Sequence, residues 1–242
     1  MSFLERVDLA IRRSGVWRSL FRNPYPTDER SRAYAVMNNV FLHLHPVRVR
    51  QHAVKFAYTF CLGGLSFFLF LVLTVTGVYL MFFYIPSTTS AYSDILNIQA
   101  SVAFGLLTRN VHRWGAHLMV FFVFLHMMRV FYHGVYKLPR EFNWVVGVVL
   151  LFSTLFISFT GYLLPWDQIA FWAITVGTQM ATYAPLLSKE SSFVLLGGVE
   201  VGQGTLIRFY VMHVIAFPLI TAILMVVHFW RVRKDGGISG PV

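Results

Sequence analysis

"LTRNVHRWGAHLMVFFVFLHMMRVFYHG" (residues 107–134) sets four histidines and three arginines into an otherwise apolar run. Ionisable side chains are costly inside a bilayer, and where they persist they mark function. The greasy part of the stretch, roughly 112–135, is long enough to cross about 30 Å of hydrocarbon as a helix. Three further runs share that length and character, at roughly 56–84, 143–164 and 208–232. The whole chain fits them. Its 242 residues are 57% hydrophobic, include 24 Phe and only 12% charged side chains, and have a mean hydropathy of +0.63, unlike a soluble domain. The expected fold is an all-α integral membrane protein, a four-transmembrane-helix bundle.

The N-terminus, "MSFLERVDLAIRRSGVWRSLF", has arginines interrupting any apolar core, so no cleavable signal peptide is expected. Leu4, Val7, Ile11 and Phe21 recur near helical spacing, which predicts an amphipathic helix on the membrane surface. The expected division is an N-terminal extension over 1–55, a bundle over 56–242, and a loop over 165–207 between the third and fourth spans.

A net charge of +10 raises the question of nucleic acid, but its distribution answers it. With the N-terminus on one side, that side receives 16 Lys and Arg and the other receives four, Arg109, Arg113, Lys189 and Arg208. This is the positive-inside asymmetry, and it puts both termini on the cytoplasmic side or its equivalent, the negative side. No nucleic-acid partner is expected. The single cysteine, Cys61, excludes a disulfide within the chain.

The histidines sort by geometry. His112 and His126 are 14 residues apart on the second span, and His213 and His228 are 15 apart on the fourth. At 100° per residue each pair keeps roughly one face of its helix, with its members about 21 Å apart. The second and fourth spans run in the same direction, so His112 matches His213 in depth and His126 matches His228. Imidazoles facing across a bundle clamp an iron from both sides, so two levels predict two stacked bis-histidine haems b. His117 points about 180° away from His126 and has no counterpart on the fourth span. His133 sits near the membrane edge, with Asp235 as its depth partner. Both are read as structural.

Glycines repeat the interval. Gly63 and Gly77 on the first span are 14 apart, as are Gly147 and Gly161 on the third. A porphyrin edge leaves no room for a Cβ there, and close packing of helices through small residues is the alternative reading of either pair. Arg109, Arg113, Arg129 and Arg140 lie near the two depths and suit haem propionates. Snorkelling is the alternative, above all for Arg140.

Six segments, "NVHRWGAH", "LHMMRVF", "KLPREFNWVVGVVL", "TGYLLPWDQIAFWA", "GQGTLIRFYVMHV" and "VHFWRVRKDGGISGP", resemble the four-helix cytochrome b of quinol oxidoreductase complexes. The short, split form of cytochrome bf and some bacterial bc complexes is the nearest in kind, over residues 56–242. The resemblance implies oxidation of a membrane quinol near the positive side. One electron goes to a Rieske iron–sulfur protein and the other crosses by the two haems to quinone near the negative side, with proton translocation. It implies that "LPWDQIAFWA" lines the quinol pocket, and Pro165, Trp166, Asp167, Phe171 and Arg233 are the expected quinone-site residues; an interfacial amphipathic helix is the alternative for the segment. The larger forms carry a Pro-Glu-Trp-Tyr segment that these 242 residues lack. The expected partners are therefore a small subunit supplying it, a Rieske protein, cytochrome c or a plastocyanin-type acceptor, quinone, and a second copy in a homodimeric complex.

"CLGG" resembles the cysteine of the split forms that holds an extra haem c by one thioether, which implies the same for Cys61. On position alone a buried cysteine is a small inert hydrophobe. The rival function is a di-haem membrane anchor of a dehydrogenase or hydrogenase, against which the "PWDQIAFWA" segment speaks.

Overall fold

The computed structural model describes residues 2–15, 17, 26–37, 49–183 and 189–240. Phe21, His43 and His45 lie outside them. Every regular element among the described residues is helical. Four helices are long and apolar enough to span a membrane: α4 (Leu62–Met81), α6 (Gly105–Tyr132), α7 (Glu141–Tyr162) and α10 (Gln203–Asp235). Between and before them lie α1 (Phe3–Arg13), α2 (Glu29–Met37), α3 (Phe56–Thr59), α5 (Ala91–Ala100), α8 (Gln168–Ala181) and α9 (Lys189–Leu196). The four-span architecture expected from the sequence is the one observed.

The span ends differ from the expected ones for local reasons. The first begins at Leu62 because Phe60 and Cys61 both adopt the left-handed region, at φ 52°, and separate it from α3. Such a conformation is strained for residues with a Cβ. The second begins at Gly105, seven residues before His112, because Arg109 and Arg113 are good helix formers whose charges lie at the end of a helix longer than the hydrocarbon. Its 28 residues rise about 42 Å. The 165–207 connection contains α8 and α9 rather than being all loop. Asp167 starts α8, its Oδ1 accepting from Ala170 N at 2.8 Å.

The chain divides into two compact units, Phe60–Val226, and Met1–Thr59 with Val227–Val242. In the first, the core is a cluster of Tyr84, Ala91, Ile98, Leu163, Ile174, Leu206 and Phe209, where α5 and α8 close over the ends of the spans. Gly105 lies so close to the Ile98 carbonyl that a Cβ there would overlap it. Gln203 staples the α4–α5 connection to the start of α10, accepting from Thr88 N at 2.8 Å and donating to the Pro86 carbonyl at 2.9 Å. Within the spans, hydroxyls of Thr74, Thr76, Thr154, Ser158 and Thr160 donate to the carbonyl four residues earlier, which keeps them satisfied without water. Few residues of the spans are buried by the chain itself, at most 17% of any spanning window.

In the second unit, α1 opens on a capping box in which Ser2 and Glu5 satisfy each other's backbone, and Arg12 pairs with Asp8 at 2.7 Å. Phe3, Leu4, Val7 and Ile11 are exposed on it. In the C-terminal part of this unit Arg231 pairs with Asp235 at 3.0 Å, and Arg231 and Lys234 lie over the Trp230 ring.

Candidate functional site: a facing histidine pair

His112 on α6 and His213 on α10 approach within the bundle, their ring centroids 6.1 Å apart and their planes at 73°. Each ring is held by its Nδ1. That of His213 lies 2.9 Å from the Ile157 carbonyl on α7, which can only accept, so Nδ1 carries the proton. That of His112 lies 2.9 Å from the Thr76 hydroxyl on α4. Nε2 is then the free nitrogen on each ring, the form in which a neutral imidazole binds a metal. His213 also sits in the one π-helical turn among the described residues, Met212–Ala216, a feature common at functional sites.

The separation of the rings is one that suits a shared iron. Two imidazoles bonded through Nε2 at about 2 Å each place their centroids about 6 Å apart, as here. Among the described residues no group of three or more His, Cys, Asp or Glu side chains gathers.

The glycines have a direct partner. A Cβ at Gly77 would come 3.1 Å from His112 Cε1, and one at Gly161 would come 2.8 Å from His213 Nδ1 and nearer still to Cε1. Gly63 stands likewise against His126, whose Cε1 would be 3.3 Å from its Cβ. What each glycine admits is first of all an imidazole ring. Gly147 lies within α7. His228 lies in α10, in the unit that includes Val227–Val242.

Other predicted residues fall as follows. His117 is exposed, edge-on to Trp114, and His133 is bonded through Nδ1 to the Arg129 carbonyl at the end of α6. Arg109 donates to Gln99 Oε1 at 3.4 Å, Arg113 is exposed, and Arg129 lies over the Phe60 ring at 5.2 Å. Arg140 immediately precedes α7, and Arg233 lies in the last turn of α10. Cys61 is exposed at the start of α4.

The "LPWDQ" turn is held partly by its own aromatic residues and partly by Tyr84, which the sequence did not single out. Trp166 is left-handed at φ 52° and meets Phe171 edge-on, with centroids 5.9 Å apart. Tyr84 donates to the Leu164 carbonyl at 2.7 Å and stacks on Tyr210. Burial, with Tyr210 and Asp94 nearby, pushes the Tyr84 hydroxyl well above its ordinary pKa of 10.0, so it stays a donor. Thr76 acts through a contact between helices and Tyr84 through one between connecting segments, and the only signal in the sequence is that Thr76 directly precedes Gly77.

Four apolar spans with a facing histidine pair between two of them define a class, all-helical membrane bundles. The profile of the cytochrome b/b6/petB family matches residues 48–236. The chain is 44% identical over 183 residues to cytochrome b6 of Porphyra purpurea, covering 76% of this chain and 85% of the relative. It is 40% identical over 216 residues to the menaquinol:cytochrome c reductase cytochrome b subunit of Bacillus subtilis (strain 168), covering 89% and 96%. A solved structure described as a hyperthermophilic respiratory Complex III superimposes with a TM-score of 0.72 at 28% identity, over 97% of this chain and 56% of the other. The chain belongs to the cytochrome b/b6 family: it is an integral membrane protein of electron transport, in a family that binds haem b.

Proposed function

We propose that the chain is the cytochrome b subunit of a proton-translocating quinol oxidoreductase, carrying electrons across the membrane between a quinol-oxidising site and a quinone-reducing one. The observation that carries this is the His112/His213 pair, with Nδ1 of both rings engaged and a centroid separation suited to a shared iron. Bound haems supply one-electron oxidation and reduction at fixed depths in the bilayer. The chain's own task is to hold them: His112 and His213 at one depth, His126 and His228 at the other, and the glycine positions keeping room for the rings. Arg109, Arg113, Arg129 and Arg140 supply charge for propionates.

The turn with Pro165, Trp166, Asp167 and Phe171 forms part of the quinol pocket, where aromatic faces bind the ring and exclude water. Arg233 belongs to the quinone site of the other side. Cys61 carries a third haem, of c type, by a thioether; the residue is exposed at the start of α4. A Rieske protein, a small subunit completing the pocket, cytochrome c and a second copy of the chain are the partners, by analogy with the complexes to which the relatives' names refer. Both termini face the negative side.

One experiment tests the cofactor set. Haem per polypeptide is measured in the purified complex of wild type, His213→Leu and His126→Leu, and the chain is run on a haem-stained denaturing gel. Each Leu variant should lose one of two dissociable haems, and stain should stay with the wild-type chain but not with Cys61→Ser. Unchanged haem content in the Leu variants overturns the ligand assignment, and absence of stain overturns the thioether.

A further inference from the structure

Thr76 and Gly77 are consecutive on α4, and both meet the His112 ring. The Thr76 hydroxyl lies 2.7 Å from the Val72 carbonyl, 3.2 Å from the Leu73 carbonyl and 2.9 Å from His112 Nδ1. A hydroxyl has one proton to give. Carbonyls only accept, and the short contact to Val72 is the usual bond of a helical threonine to the residue four back. The proton therefore goes to Val72, and a lone pair of Oγ1 faces the imidazole. The contact to His112 is then a bond from Nδ1–H to Oγ1. The same reasoning fixes the tautomer independently of any cofactor, and it leaves Nε2 unprotonated.

The two rings are held by different means. His213 donates to a backbone carbonyl, which no side-chain substitution removes. His112 donates to a side chain, with the Leu73 carbonyl close to the same ring. A hydroxyl already donating to Val72 is also a better acceptor, because consecutive hydrogen bonds polarise one another.

We infer that Thr76 is a positioning residue: it fixes the tautomer of His112, strengthens Nε2 as a donor to the haem iron, and so lowers the reduction potential of the haem at that depth. The inference rests on the reading of His112 as an iron ligand. An acceptor at Nδ1–H gives the imidazole partial anionic character and raises its basicity, which favours the oxidised iron. Thr76 thus acts through His112 and touches no reacting atom. Its neighbour Gly77 supplies the clearance, so one dipeptide provides both the space for the ring and the bond that orients it.

The test is a redox titration of the b haems, followed by absorbance, in membranes holding the assembled complex, for wild type, Thr76→Val, Thr76→Ser and His112→Leu. Valine keeps the volume and removes the acceptor; serine keeps the acceptor and removes a methyl. In Thr76→Val the potential of the haem that is absent from His112→Leu should move positive by more than the repeat error. The other b haem should not move, and Thr76→Ser should return the wild-type value. Loss of that haem in Thr76→Val but not in Thr76→Ser also supports the inference. Three results overturn it: an unchanged potential in Thr76→Val with full haem content, which assigns the orientation to Leu73; equal shifts in both variants; or loss of the haem in both. If His112→Leu retains both b haems, the ligand reading itself fails, and this inference fails with it for a different and recognisable reason.

Discussion

At the level of single residues, the glycines grade the tightness of the seats. A Cβ would press hardest at Gly161, less at Gly77 and least at Gly63, and each meets an imidazole rather than the loose end of a flexible chain. Overfilling a packed interior costs about 1–3 kcal/mol and displaces what it meets. Haem per polypeptide should therefore fall in the order Gly161→Ala, Gly77→Ala, Gly63→Ala, with Gly161→Ala closest to complete loss at its depth. Equal losses in all three would mean that the glycines serve helix packing in general. The 14-residue interval made these positions visible in the sequence; that each faces a histidine depends on the rotation of one helix against another, which no single helix's pattern contains. Thr76 was invisible for the same reason, since a threonine before a glycine in an apolar span is ordinary.

Among elements, the turn from α7 into α8 depends on Tyr84, 80 residues earlier in the chain. Tyr84→Phe removes one partly buried hydrogen bond, worth about 1 kcal/mol, from a turn where Trp166 is strained. The expected result is a several-fold rise in KM for quinol with both b haems intact; an unchanged KM would confine Tyr84 to packing. Its raised pKa sets the pH range. A neutral donor with a raised folded-state pKa contributes fully below its ordinary value of 10.0, and the contribution is lost only as pH climbs beyond that, so the Tyr84 effect should be flat across neutral pH. The spans were legible because about 20 apolar residues in a row have few other folds open to them. Their ends were not: the break at Phe60 and Cys61 uses no glycine or proline, and α6 continues through polar residues that read as a boundary. The α8 helix had a start signal in Asp167, but its apolar residues fit a pocket wall equally well.

For the molecule as a whole, the distribution of charge and the exposed spans make one prediction together. Four spans and a 16-to-four imbalance of Lys and Arg carry the proposal that the N- and C-termini share the negative side. Tags at both ends should be reachable by protease in inverted vesicles and protected in right-side-out ones. A tag reachable only from the opposite side would reverse the assignment of the two haem depths as well. The uncovered apolar surface of the spans needs lipid or neighbouring subunits around it, since helices in a bilayer have no water to escape from and are held by close packing instead.

The π-helical turn at Met212–Ala216 is a reservoir of length. Such a turn holds one residue more than the α-helical turn it replaces, so about 15 residues that include it advance the helix by as much rotation as about 14 without it. A chain that gains or loses one residue here can absorb the change by switching this turn between π and α forms, leaving the angular setting of everything downstream as it was. Deleting Val214 should therefore be tolerated, with both dissociable haems retained, whereas deleting one residue from the regular helix between His112 and His126 should cost a haem. The site's least regular turn is thus the place where its helix can change length without losing register.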